Sequence, residues 1–162
     1  MRNMMKVVCL VLAGVWIVAT ADAMIMKPLK ETTMTARGTF EVKMLPQPAD
    51  AAGGPFARFL LDKKFEGDLD AVSRGQMLAS GGPPSRSGGY VALEQVAGIL
   101  NGKRGSFVLL HRGTMDEGSN PLEVTVVPGS GTEGLAGISG TMTIVIEGAK
   151  HSYEFSYTLP GR

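Results

Sequence analysis

The C-terminal stretch ISGTMTIVIEGAKHSYEFSYTL (residues 138–159) indicates the fold most directly. Gly148-Ala149 divides it into two runs in which large and small or polar side chains alternate, a pattern typical of a β-hairpin. Residues two positions apart share one face of a strand. On the second run, one face carries His151, Tyr153, Phe155, Tyr157 and Leu159. We therefore expect this face to point into a core.

The same period of two recurs upstream, in segments separated by turn-forming residues. Asn101-Gly102 predicts another hairpin. The segment before it, residues 90–100, is apolar on both faces and fits either a buried strand or a short helix. Lys63 falls on the apolar side of its segment. The predicted strands are residues 39–44, 58–66, 69–79, 90–100, 106–112, 122–127, 138–147 and 150–159.

This pattern predicts an all-β protein, a single antiparallel β-barrel of about eight strands. A barrel of that size has an interior just wide enough to be filled by side chains or to hold one small ligand. The numerous glycines, 22 in 162 residues, fit the tight turns and bends that such a barrel needs.

Residues 1–23 have the three parts of a secretory signal peptide. Arg2 and Lys6 make the start positive, an apolar centre follows, and Ala21-Asp22-Ala23 offers small residues to a signal peptidase. The apolar centre is shorter than the about 20 residues that span a bilayer, so we expect no stable membrane anchor. We predict cleavage after Ala23, a flexible lead-in over residues 24–34 and a barrel domain over residues 35–162, exported to the periplasm or the cell exterior.

Composition excludes several classes of function. The one cysteine, Cys9, lies in the predicted signal peptide, so the exported domain has no disulfide and no thiolate ligand. Outside residues 1–23, basic and acidic side chains are equal in number and scattered, which predicts no nucleic-acid partner. Two histidines without an acidic cluster predict no metal site, and we expect no cofactor. No nucleophile-elbow motif is present.

A sparse polar set on inward faces is the candidate ligand site, because small-molecule sites combine apolar walls with a few polar groups. Its members are Glu94, His111, Tyr153 and Tyr157. A buried carboxylate needs a partner, and the candidates for Glu94 are Arg104, Lys63 and His111. Alternatively, Glu94 faces outward with Gln95 inward, and the tyrosines are core aromatics whose hydroxyls bond to the backbone at the rim.

Several motifs, in order, resemble a bacterial family known as domain of unknown function 3224. They are Gly38–Val42, Lys64–Leu69, Tyr90–Glu94, Gly105–Leu109, Val126–Thr132 and His151–Phe155. The resemblance runs from about Thr35 to Leu159 and implies an allene oxide cyclase/calycin-like barrel with a ligand-sized interior and no established activity. Leu110 departs from the family pattern, in which a polar residue is expected before His111.

These features predict an exported barrel that binds a small apolar or amphipathic molecule. The resemblance implies an alternative, an isomerase or cyclase of the allene oxide cyclase type, in which Glu94 with a tyrosine or histidine would stabilise developing charge. A further alternative is a structural protein with a filled barrel whose outer surface binds partners, including other copies of itself. A hollow interior would favour the first two functions over the third.

The signal-peptide pattern predicts that the exported protein begins at Met24. N-terminal sequencing of the protein from its native host would give Met-Ile-Met-Lys as the first residues. Recovery of a chain that begins at Met1 from the membrane fraction would contradict this prediction, because an uncleaved apolar segment would then act as an anchor.

Overall fold

Strands make up most of the described chain. The structure, a computed structural model, describes residues 32–49, 53–81 and 87–161. The predicted signal peptide and its cleavage site lie outside these residues. No helix within these ranges has the length and apolar character needed to cross a bilayer. The strands are β1 (Met34–Pro46), β2 (Ala57–Gly67), β3 (Leu69–Gly81), β4 (Gly88–Leu100), β5 (Lys103–Met115), β6 (Leu122–Val126), β7 (Ser139–Glu147) and β8 (Lys150–Thr158).

Each strand pairs antiparallel with the next, and β8 pairs back with β1, so the sheet closes into an eight-stranded barrel. The predicted fold class is confirmed. Residues 90–100 lie in strand β4, and the helical alternative for that segment is wrong. Asn101 and Gly102 connect β4 to β5 with φ angles of 45° and 80°. Both angles are positive, as the predicted two-residue hairpin turn requires.

The connections divide between two ends of the barrel because neighbouring strands run in opposite directions. Strands β1, β3, β5 and β7 end, and strands β2, β4, β6 and β8 begin, at one end, which we call the open end. The β2–β3, β4–β5 and β6–β7 connections lie at the other, which we call the closed end. Alternation along each strand then decides which side chains enter the lumen between these ends.

The β6–β7 connection covers the closed end. It contains a short 3-10 turn, Glu133–Leu135, and places Leu135 and Ile138 in the hydrophobic core. It also forms hydrogen bonds along the edge of β5. The Thr132 amide donates to the Ser106 carbonyl at 2.9 Å, and Thr132 Oγ1 accepts from the Ser106 amide at 2.9 Å. Because β6 is short, these bonds satisfy the part of β5 that β6 does not reach.

Aromatic rings fill the lumen toward the closed end. Phe155 is fully buried and stacks on Phe107 and Tyr157, with ring centroids 5.5 and 5.2 Å apart. Phe65 meets Tyr153 edge-on at 5.7 Å. These rings lie at the inward positions of β2, β5 and β8, so the inward face expected for the last strand is confirmed. The closed half of the barrel is therefore a packed core.

The ring stack predicts a large stability loss for Phe155→Ala. Removing a fully buried phenylalanine costs about 3–5 kcal/mol, since transfer and cavity terms add. Phe56→Ala is the matched control, because Phe56 is 50 % exposed and should lose no more than about 0.5 kcal/mol. Urea unfolding followed by circular dichroism measures both changes. Equal losses in the two variants would show that the stack does not stabilise the barrel.

Candidate functional site

The open half of the lumen contains a cavity of about 290 Å³. Inward side chains from all eight strands line it, and most of them are apolar; examples are Val42, Leu61, Met77, Ala92 and Ile144. The polar residues of the lining are Lys63, Tyr90, His111 and His151. The barrel is thus hollow at one end and packed at the other.

Glu94 lies at the inner end of this cavity, behind its lining. Its side chain points inward from β4 and is 0 % exposed, so the outward alternative is wrong. Lys63 Nζ donates to its Oε2 at 2.6 Å, and Ser73 Oγ donates to its Oε1 at 2.5 Å. His111 Nε2 lies 3.0 Å from Oε2. Both carboxylate oxygens are therefore engaged by residues of neighbouring strands.

The strand register brings these residues together. Ser73 on β3 lies directly opposite Lys63 on β2, and Glu94 on β4 lies opposite Gly75 on β3. A Cβ atom at position 75 would stand 2.5 Å from the Leu93 carbonyl oxygen and 3.1 Å from the Glu94 Cβ. Only glycine allows the two strands to approach this closely, so Gly75 positions the backbone that carries Glu94.

Lys63 is held by both charge and aromatic rings. Its side chain is 7 % exposed, and its Nζ lies 5.0 Å from the Phe40 ring centroid and 5.8 Å from that of Phe65. An ammonium group has three N–H donors, and Glu94 accepts one of them. The ring faces attract the cation electrostatically but do not replace hydrogen-bond acceptors. Lys63 thus keeps donor capacity at the edge of the cavity.

The surroundings of Glu94 keep it ionised. Burial alone would raise its pKa, but His111, Lys63 and Ser73 together favour the charged form and lower the pKa from 4.5 to about 2. His111 acts through proximity, since its buried Nε2 has no hydrogen-bond partner of suitable geometry among the described residues. At neutral pH, Glu94 is therefore a fixed negative charge.

The structure brings together two of the four predicted site residues, Glu94 and His111. Tyr153 and Tyr157 also point inward, but their hydroxyls bond near the closed end and neither ring lines the cavity. Tyr153 Oη accepts from the Leu69 amide at 2.9 Å, and Tyr157 Oη accepts from Asn101 Nδ2 at 3.0 Å. These are the rim contacts of core aromatics. Arg104, a candidate partner of Glu94, is exposed beside the β4–β5 turn.

Sequence reasoning did not single out Ser73 or His151 as site residues, and it named Lys63 only as a candidate partner of Glu94. Lys63 carried a usable signal, because it interrupts the apolar face of its strand. Ser73 carried none, since it lies among small residues whose inward face looks structural. His151 lies in the inward row of β8 and lines the cavity, where its ring packs 5.1 Å from that of Phe40.

Other depressions on the described surface have neither Lys63 nor His111 in their lining. One of them, of about 840 Å³, is a groove whose lining includes the exposed outer side chains of Arg58, Arg74 and Leu93. In the described ranges, no three His, Cys, Asp or Glu side chains converge as metal ligands do. The lumen cavity is the candidate site because Lys63 and His111, two members of the buried charge network, line it together with apolar side chains.

Comparison with known proteins shows one family. Residues 36–157 match the family model described as protein of unknown function (DUF3224). A crystal structure of a DUF3224 protein of unknown function from Shewanella oneidensis MR-1 is 46 % identical to the chain, with a TM-score of 0.72. The alignment covers 82 % of this chain and 100 % of that chain. No curated protein matches the sequence.

The network predicts a specific acid sensitivity. The pKa of Glu94 is lower in the folded chain than its ordinary value, so its stabilising contribution is complete above about pH 4.5 and is lost as the pH falls toward about 2. The loss is on the order of 3 kcal/mol. In the double variant Lys63→Met/Glu94→Gln, this part of the pH dependence should disappear.

Urea unfolding at several pH values between 6 and 2.5 measures the effect. The exposed pair Lys64–Glu66 has the same 2.6 Å separation, so Lys64→Met/Glu66→Gln is the matched control. Solvent screens that pair, and its removal should leave the acid-dependent loss nearly as in the wild type. If both double variants change the pH profile equally, burial of the Lys63–Glu94 pair has no special effect.

Proposed function

The chain belongs to the DUF3224 family, described as having no known function, and from its cavity we propose that it is an exported barrel that binds a small apolar or amphipathic molecule in the lumen. One observation carries the proposal: a mostly apolar cavity of about 290 Å³ has a few polar side chains at its inner end. Apolar walls with few, well-placed polar groups are the usual composition of a small-molecule site.

The residues of the open half support binding rather than packing. Where the closed half has aromatic rings, the open half has Ala79 and Ala92, which leave space, and Met44, Met77 and Met115, which are flexible. Methionine adapts its shape to irregular apolar partners. An apolar molecule that enters this space would remove hydrophobic surface from water, which is favourable by about 25 cal/mol per Å².

The signal-peptide pattern of residues 1–23 supports the exported location in the same proposal. Outside the cytoplasm, an apolar molecule in water gains from a carrier with an enclosed lumen, because its own hydrophobic surface is then shielded. In the part of the chain that the structure describes, the barrel is covered at one end and its lumen opens toward the other.

Isomerase or cyclase activity is the second candidate function, and the proximity of His111 to Glu94 favours it. Glu94 would contribute through its fixed charge, since a carboxylate with a pKa of about 2 is a poor proton donor or acceptor at neutral pH. His111 lines the cavity and would be the residue that touches a substrate. Recovery of bound molecules chemically unchanged after incubation would favour the binding function.

Filling the cavity should weaken binding. The neutral probe N-phenyl-1-naphthylamine becomes fluorescent in apolar surroundings and reports entry into the lumen. Ala92→Leu places extra carbon atoms in the cavity and should weaken probe binding about tenfold or more, since overpacking typically costs 1–3 kcal/mol. Ala97→Leu, on the exposed face of the same strand, is the matched control and should bind as the wild type does.

Fluorescence titration gives the dissociation constants of the three proteins, and circular dichroism shows that each is folded. Absence of a fluorescence rise with the wild type would refute lumen binding of an apolar molecule. Equal affinities for wild type and Ala92→Leu would show that the probe binds elsewhere on the barrel.

A further inference from the structure

We propose that the molecule held in the lumen is an apolar monocarboxylate whose anionic head lies against Lys63 and His111; this inference rests on the proposed function and names its ligand class. The starting point is the chemistry of the lining. Its polar members, Lys63, Tyr90, His111 and His151, can all donate hydrogen bonds. None of the described lining residues is Asp or Glu. The cavity therefore offers hydrogen-bond donors and the Lys63 cation to a ligand, and no carboxylate.

The charge network is oriented, which strengthens this preference. Glu94 is fully buried and does not belong to the lining, whereas its partners Lys63 and His111 do. Lys63, the cation of the network, thus faces the cavity, and the Glu94 carboxylate lies behind it. Charges buried in a protein interact more strongly than in water, so an anion at the inner end would be attracted by the nearer cation.

Two groups at the inner end have unused hydrogen-bonding capacity. Lys63 Nζ has one acceptor, Glu94 Oε2, for its three N–H bonds. His111 Nε2 is buried and has no partner of suitable geometry among the described residues. Polar atoms left without partners in a buried site are unfavourable, so a ligand that supplies an acceptor would satisfy a need that the protein leaves open.

The geometry suits a single carboxylate. Lys63 Nζ and His111 Nε2 contact the same oxygen of Glu94, at 2.6 and 3.0 Å. The two nitrogens are therefore close enough for the two oxygens of one ligand carboxylate to reach both. Charge-assisted hydrogen bonds of this kind are about twice as strong as neutral ones. An ammonium head would instead place donors against donors, and a hydroxyl would supply one neutral acceptor.

Three probes with the same apolar chain separate these cases: octanoate, 1-octanol and octylamine. The measurement is isothermal titration calorimetry with the chain predicted for the exported protein, residues 24–162. Octanoate should bind roughly tenfold or more tightly than 1-octanol, because a hydrogen bond to a charged group contributes more than a neutral one. Octylamine should bind most weakly. Equal affinity for octanoate and 1-octanol, or a preference for octylamine, would overturn the carboxylate inference while leaving lumen binding intact. Failure of all three to bind would overturn both.

A charge-neutral variant tests the head-group contact. Lys63→Met/Glu94→Gln removes the cation without leaving a buried charge unpaired, so 1-octanol should still bind while the tenfold preference for octanoate is lost. Lys64→Met/Glu66→Gln, on the outer face, is the matched control and should keep the preference. Retention of the preference in Lys63→Met/Glu94→Gln would show that Lys63 does not hold the head.

A crystal structure of the wild type with 8-bromooctanoate tests the same contact without any variant. The carboxylate should lie within hydrogen-bonding distance of Lys63 or His111, and the anomalous peak of bromine should lie toward the open end of the barrel. A bromine peak beside Lys63, with the carboxylate at the mouth, would overturn the inference. Binding outside the lumen would overturn the inference and the proposed function together.

Discussion

A carboxylate without access to water has to be compensated inside the protein, and the compensation of Glu94 connects four strands of the barrel. Lys63, Ser73 and His111 come from β2, β3 and β5, while Glu94 itself comes from β4. Each contact requires the observed register, since a slip by one residue would turn the side chain outward. Because the buried charge needs these partners, strands β2, β3, β4 and β5 must pair in this register both for the chain to fold and for the site to form.

This network also marks the boundary between the two halves of the lumen. Toward the closed end, the Phe155 stack and Leu135 fill the interior and supply hydrophobic stabilisation. Toward the open end, alanine and methionine leave the cavity. Lys63 contacts both halves, because its ammonium lies 5.8 Å from the centroid of the buried Phe65 ring and also lines the cavity. One barrel thus combines a packed core with a cavity.

Strand alternation was sufficient to predict the barrel, the turns at Asn101-Gly102 and Gly148-Ala149, and the inward face of β8, because those depend on neighbours in the chain. It could not decide the face of Glu94, since β4 is apolar on both sides. It also could not predict that the inward tyrosines of β8 lie near the closed end of the barrel, because that position depends on the register between strands distant in sequence. The bonds of Tyr153 to Leu69 and of Tyr157 to Asn101 are contacts of this kind.

Burying a lysine–glutamate pair is a poor way to stabilise a barrel. The cost of removing two charges from water is comparable to their attraction, and apolar replacements of similar size are often neutral or stabilising. Phe65 and Phe155 show that this lumen accommodates apolar packing well. Moreover, the pair lies where the packing stops, and its cation lines the cavity. Under the proposed function, the pair presents to the cavity a positive charge that Glu94 balances from behind. A ligand that brings its own negative charge would meet a site already arranged for it, so little reorganisation would accompany binding.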